Sequence, residues 1–583
     1  MNQIRKTFKL ISNQQKLLLM SLIIINIFIG LLPIFSVYLV QNIINILTTG
    51  KKIHILLILF AIYILLSIIE NFLSSLQNYI NGKISNYLSF SLEKKVLDAI
   101  DNIDLKDFEN EETYSEIDKV SNEAPEKPFE VFNSLNNIFI SLITMISGIV
   151  YLFKINIYYS LSLFLLTLIS IPILLSLSNR QFLIHWKRAE KERKAWYIKY
   201  IMTHDFGVKE IKFFNVGKYL KEKFIKLKKE FINQDLKLLK SLSIFNFLYE
   251  FFVVLITGGI VLSVAESIYF GRALIGTLTS VTQIISLTRE NTSSIINELY
   301  DLKYDLSLLE RLFVFLEKNN PNNFVVIENE KKELKRVNEI RAINLKYGNN
   351  KNRLILKNIN FSIKKGMLVA IVGKNGSGKT TLVKLLSGLY EPYEKKSLLI
   401  NNVDITDYKK GSLHKKISVL FQDFVKYEFT LQENIGIGDI DEINNTEKMK
   451  EILTKYAKSL NKNIQLSQQL GTWFSSSQQI SGGQWQGVAT SRAMFNQKSD
   501  VVILDEPNSA LDPIAEQKLF LQFREFVTKD KIGIFVSHKI AAVKNSDLIL
   551  VLNNGSIVAC GTHKQLMKSS KEYRELEKAE KYE

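Results

Sequence analysis

The sequence predicts a two-part protein: an all-α membrane domain of six transmembrane helices over residues 1–318, a linker over 319–336, and an α/β P-loop nucleotide-binding domain over 337–583. Three observations carry this reading. Long apolar runs crowd the N-terminal half. The stretch Leu368–Leu386 has the strand, glycine-rich turn and helix pattern of a phosphate-binding loop. Between these regions the chain turns polar after Leu316 and breaks at NNPNN, residues 319–323. A chain of 583 residues is in any case too long for one core.

Composition narrows the classes. Lysine and arginine total 75 against 58 acidic residues, a formal charge of +17, which fits nucleic acid, an anionic membrane surface or basic cytosolic loops. The lone cysteine, Cys560, forbids an intramolecular disulfide and is expected to be a small buried residue. It also leaves no nucleophile early in the chain for a papain-like peptidase domain. The N-terminus MNQIRKTFK runs into an apolar span without a small-residue cleavage site, as an uncleaved membrane segment does.

The six spans are expected near 17–46, 53–80, 136–154, 157–178, 243–265 and 273–300, each needing about 20 apolar residues to cross the membrane lipid bilayer. Links after spans one, three and five are short; those after two and four are long and polar. Arg5, Lys6 and the basic loop 179–240 place both termini and both long loops in the cytosol of a multi-pass cell-membrane protein, with Lys51 and Lys52 dissenting. In that loop Lys187, Arg188, Lys191, Arg193, Lys194, Lys209, Lys212, Lys228 and Lys229 alternate with Glu190, Glu192, Glu210, Glu222 and Glu230 at helical spacing. They read as salt-bridged helix faces, not as a nucleic-acid surface. Glu70, Glu250, Arg289 and Glu290 lie inside predicted spans. They are expected either to line a polar cavity that meets substrate or to pair among themselves.

The phosphate loop GKNGSGKTT holds Gly373, Asn375, Gly376, Ser377, Gly378, Lys379, Thr380 and Thr381. Its glycines let backbone N–H groups curl round an anion, and the new helix points its positive end there. Lys379 is placed for the β and γ phosphates of ATP and the Thr380 hydroxyl for Mg²⁺. Upstream, Tyr347 is positioned to stack on a purine base. Downstream, FQD supplies Gln422 near the γ-phosphate and metal. ISGGQWQ supplies a second glycine-rich helix start at Ser481, Gly482, Gly483 and Gln484. VVILDE ends a strand in Asp505, a metal ligand through water, and Glu506, a general base. NSALD ends at Asp512, and IGIFVSH ends an apolar strand near the catalytic candidate His538. Each of these is weak alone; their order and spacing are specific.

Together they are the motif set of ATP-binding-cassette ATPases, and over its whole length the chain resembles an ABC exporter half-transporter. The resemblance implies a homodimer in which each ATP lies between one copy's phosphate loop and the second copy's Ser481–Gly483 turn. It also implies coupling helices near 112–120 and 201–210. FLIHWKRAEKERKAWYIKYIMTHDFGVKEIKFF (182–214), FQDFVKYEFTLQENIG (421–436), LGTWF (470–474), GGQWQ and SALDPIAE resemble exporters of lantibiotics of the nisin and subtilin kind. The implied cargo is a ribosomally made, thioether-bridged peptide carrying its leader, and peptide-modifying enzymes are possible partners. Departures are Ile480 for leucine, Ser477 for a glycine, Thr490-Ser491 for small and apolar residues, and Gly487 where the family usually has a cation. The last of these bears on the hydrolysis rate. Competing functions are a multidrug or lipid exporter, which neighbouring genes for a leader peptide and its modifying enzymes would argue against, and a non-transporting, peptide-sensing membrane ATPase, which cargo-dependent hydrolysis without export would favour.

Overall fold

The computed structural model describes residues 6, 13–50, 53–110, 113, 116, 117, 120, 126–153, 157–320, 330–350, 353–460, 464–507, 513–527, 530–537 and 540–580. They divide into two compact units, one of Met1–Ile103 with Phe108–Asn320, the other of Asp104–Asp107 with Pro321–Glu583.

The first unit is helical. Its long helices are α1 (Asn13–Thr49), α2 (Ile53–Asp101), α4 (Lys127–Phe153), α5 (Ile157–Thr203), α7 (Gly217–Tyr269) and α8 (Ile275–Lys318). A short one, α6 (Asp205–Phe213), lies between α5 and α7; another, α3 (Leu105–Phe108), follows α2 in the chain but belongs mostly to the second unit. Among the described residues four helices are long and apolar enough to cross a membrane: Leu17–Thr49, Ile53–Asp101, Lys127–Phe153 and Gly217–Tyr269. The expected fourth span lies in the part of α5 with many side chains outside the described set. The sixth lies in α8, whose polar stripe is the reason it reads less clearly as a span. Many apolar side chains of α1 and α2 face outward, including Ile23, Phe28, Leu57 and Phe60, as on lipid-facing helices.

The basic stretch after the fourth span is two long helical arms. Arg188 bonds Glu192 and Asp235 at 2.6 Å each, and Lys194 pairs with Glu190 one turn away. The chain breaks at His204 and resumes as α6, overlapping the segment 201–210. The other expected coupling segment, 112–120, falls mostly outside the described residues.

The second unit is α/β. A four-stranded antiparallel sheet has the order β2-β1-β4-β5, with β1 Glu339–Asn350, β2 Arg353–Lys364, β4 Leu398–Ile400 and β5 Val403–Asp404. A six-stranded sheet has the order β10-β9-β3-β8-β7-β6. Its strands are β3 Leu368–Gly373, β6 Ile417–Leu420, β7 Val501–Asp505, β8 Ile532–Val536, β9 Leu548–Asn553 and β10 Ser556–Gly561. β3, β7 and β8 are buried throughout, so their unbroken apolar runs are those of parallel strands covered on both faces. Edge strand β10 pairs antiparallel with β9, and Cys560 on it is exposed. The expected burial of Cys560 is therefore wrong: an edge strand turns one face to solvent.

Candidate functional site

The phosphate loop leaves the C-terminal end of β3, a central strand flanked by β8 and β9. Gly376 and Gly378 have φ of +77° and +103°, a region that side chains rarely adopt. Gly373 is crowded instead: a Cβ there would lie 2.3 Å from the Leu552 carbonyl oxygen. Helix α9 (Lys379–Leu386) then starts, with Gly378 at its N-cap. The loop's Asn375 and Gly376 are exposed, Thr380 and Thr381 half-buried, and the buried Ser377 hydroxyl has no hydrogen-bond partner among the described residues.

Around this loop the fold gathers Lys379, Gln422, Asp505 and Glu506. Lys379 is buried; its Nζ donates to the Gly373 carbonyl at 3.0 Å and lies 3.5 Å from Glu506 Oε1. Gln422 Nε2, just past β6, donates to Glu506 Oε2 at 2.9 Å. Glu506 holds φ +46°, a strained value for a non-glycine residue where β7 ends. Asp505 is 1% exposed and, among the described residues, neither of its oxygens meets hydrogen-bond geometry, although the Thr380 hydroxyl lies close enough to favour its charged form. Burial, then the Glu506 charge, pushes its carboxyl up to about 6 against the opposing pull of Thr380 and Lys379. A buried, orphaned carboxylate beside a threonine hydroxyl is a hard-oxygen donor set that fits a divalent cation.

The second glycine-rich turn is built as a helix start. Ser481 caps helix α10 (Gly482–Phe495) in a capping box with Gln484, and Gln484 Nε2 also donates to the Ser459 carbonyl at 2.9 Å. Ser481 and Gly482 are exposed, and among the described residues no hydrogen bond joins this turn to the phosphate loop. Gly487 is buried in the same helix. A Cβ there would meet Ala457 Cα at 3.1 Å and the Tyr456 carbonyl at 3.3 Å, so this position is a helix-packing contact.

Tyr347 departs from the expectation. It is 3% exposed, with ring centroids 4.8 Å from Tyr390 and 5.4 Å from Tyr393, so this arrangement leaves no open face for a base. Lys106 of α3, within the same unit, holds its ammonium 5.9 Å from the Tyr347 ring and 5.2 Å from that of Tyr393. Nothing in the sequence signals this lysine. His538 and Asp512 lie outside the described residues.

In the helical unit, Glu250, Arg289 and Glu290 line one polar cavity of about 700 Å³ with Ser286, Ser293, Ser294, Asn297 and Glu298. Arg289 and Glu250 form an ion pair. Glu70, on α2, is not among the lining residues. Glu298, which the span reading missed, lies in the expected sixth span beside residues that were noticed.

A phosphate loop, a strand-end Asp-Glu pair and a second glycine-rich helix start, carried on the same chain as a bundle of membrane helices, define an ATP-driven membrane transporter. The chain belongs to the ABC transporter family, as an exporter with membrane and ATPase domains fused: the ABC transporter family model matches residues 356–509 and the ABC transporter transmembrane region model matches residues 18–291. It is 39% identical to the subtilin transport ATP-binding protein SpaT of Bacillus subtilis over 100% of this chain and 95% of that protein. It is 37% identical to the nisin transport ATP-binding protein NisT of Lactococcus lactis over 99% and 96% respectively. A bacterial Atm1-family ABC exporter with ATP bound shares the fold at a TM-score of 0.78 and 18% identity, over 97% of this chain and 98% of that one. The protein is thus a multi-pass membrane protein whose ATPase domain binds ATP and couples its hydrolysis to export.

Proposed function

We propose that this chain exports a ribosomally made, modified peptide of the lantibiotic class, still bearing its leader, across the cytoplasmic membrane. The observation that carries this reading is the 39% and 37% identity, over essentially the whole chain, to proteins named for subtilin and nisin transport. It works as a homodimer, with both termini in the cytosol. ATP sits between the phosphate loop of one copy and the Ser481–Gly483 turn of the other, whose exposed backbone N–H groups at a helix start suit an anion.

Within that site Lys379 and the loop N–H groups hold the phosphates. Asp505, Thr380 and Gln422 would hold Mg²⁺, which when bound offsets charge on the β and γ phosphates. Glu506 orients the attacking water and takes its proton; Gln422 and Lys379, its partners in the structure, position that carboxylate. His538 and Asp512 complete the site by their place in the motif order. Closure of the two ATPase domains on ATP switches the helical domains from inward- to outward-open, and hydrolysis resets them.

The test is deletion of the gene in its own organism. Modified, leader-bearing peptide should accumulate inside the cells and disappear from the medium. Unchanged secretion would refute the cargo assignment.

A further inference from the structure

The polar cavity of the helical unit has an uneven charge balance. Its lining holds three carboxylates, Glu250, Glu290 and Glu298, and one guanidinium, Arg289, which is taken by Glu250. Glu290 accepts a hydrogen bond from Ser286 at 3.0 Å, one turn away on α8, and Glu298 accepts one from Asn137 of α4 at 2.6 Å. Among the described residues neither forms an ion pair with a lysine, arginine or histidine. Glu290 is exposed and Glu298 half-buried, and both are held only by neutral donors, so the cavity lining carries negative charge that attracts a cation.

A metal is a poor candidate for that cation. Eight residues apart on one helix, Glu290 and Glu298 are separated by about 12 Å along the axis, too far to share one ion. Among the described residues no group of three or more metal-ligating side chains is present. The same spacing suits a polypeptide, because an extended chain advances about 3.3 Å per residue and so covers that distance in three to four residues.

We propose that this cavity is a subsite for a basic stretch of the exported polypeptide. Glu290 and Glu298 each take one cationic side chain from positions three to four residues apart, while the Arg289–Glu250 pair closes one side of the lining. Ser293, Ser294 and Asn297 between the two carboxylates offer hydrogen bonds to the peptide backbone. This inference rests on the cargo being a peptide, and it adds the charge pattern the peptide must carry.

The test uses the full chain in lipid nanodiscs and a dye-labelled synthetic peptide with two lysines four positions apart, set against the same peptide with glutamines there. Anisotropy should show the lysine probe binding at least about tenfold more tightly, with the advantage shrinking as ionic strength is raised. Glu290→Gln with Glu298→Gln should erase the preference, and Glu290→Lys with Glu298→Lys should reverse it toward a diglutamate probe. Equal binding of both probes by the unaltered protein overturns the proposal, and that comparison needs no variant to fold. A lysine preference that survives the double glutamine change also overturns it. Secretion of modified peptide is read separately in cells, so loss of the charge preference with export intact removes the subsite and leaves the cargo assignment standing.

Discussion

Asp505 of the nucleotide-binding unit and the Arg289–Glu250 pair of the helical unit are charges held in opposite ways. In the nucleotide-binding unit Asp505 is buried with no hydrogen bond of good geometry among the described residues, while its neighbour Glu506 is tied to Gln422 and Lys379. In the helical unit Arg289 and Glu250, more than a third of each side chain or nearly so exposed, simply pair. A buried carboxylate without a bonded partner is costly, because its desolvation is uncompensated until a ligand or a proton arrives. A paired one carries its own completion. The buried Asp505 therefore carries the larger electrostatic cost, and changing it should have larger consequences than changing the Arg289–Glu250 pair.

That contrast can be broken most directly at Glu506. Glu506→Gln should lower ATP hydrolysis by roughly 10²–10⁴-fold while ATP binding persists, read by phosphate release and by nucleotide titration. Unchanged hydrolysis would remove Glu506 from the role assigned. Asp505→Asn should abolish activity yet stabilise the nucleotide-free protein. The Asp505 carboxyl is raised from 3.8 to about 6, so its ionisation opposes folding. Stability of the parent falls as pH climbs between those two values and stays lowered above them, by on the order of 3 kcal/mol. A thermal-melting comparison near neutral pH should show the variant melting higher, with the gap closing below pH about 4.

Smaller effects sharpen the comparison. Gly378→Ala forces a side chain to φ +103° and sets its Cβ 2.7 Å from Leu356 Cδ2. It should cost about 1–3 kcal/mol and weaken ATP binding. Gly487→Ala must displace the backbone at Ala457 by a few tenths of an ångström, for about 1 kcal/mol in thermal melting. Smallest of all, Arg289→Ala breaks a half-exposed pair in the helical unit and should move the melting temperature by the equivalent of less than about 1 kcal/mol. A large loss there would mean the helical unit depends on that pair as the ATPase unit depends on its site.

Much of this was legible in the residues. The strand Leu368–Gly373, the helix from Lys379 and the cap at Ser481 follow from local rules of apolar runs, glycine conformations and capping side chains, each acting over a few residues. The salt-bridged arms around Arg188 were legible for the same reason, since helical spacing sets which charges meet. Cys560 was misread because burial of a small residue depends on whether its strand is central or at an edge, which strand order alone decides. Gly487 looked like a missing cation and proved to be a packing contact, because Ala457 meets it from thirty residues away. Tyr347 shows the same limit: its spacing from the phosphate loop is in the sequence, its burial against Tyr390 and Tyr393 is not.

The sequence by itself determined the class of chemistry, since phosphate binding uses short contiguous motifs whose physics is local. Only the tertiary structure decided which carboxylate is left without a partner and which charges share a cavity. Desolvation and pairing depend on residues brought together from distant parts of the chain, such as Asp505 with Lys379 and Glu298 with Asn137.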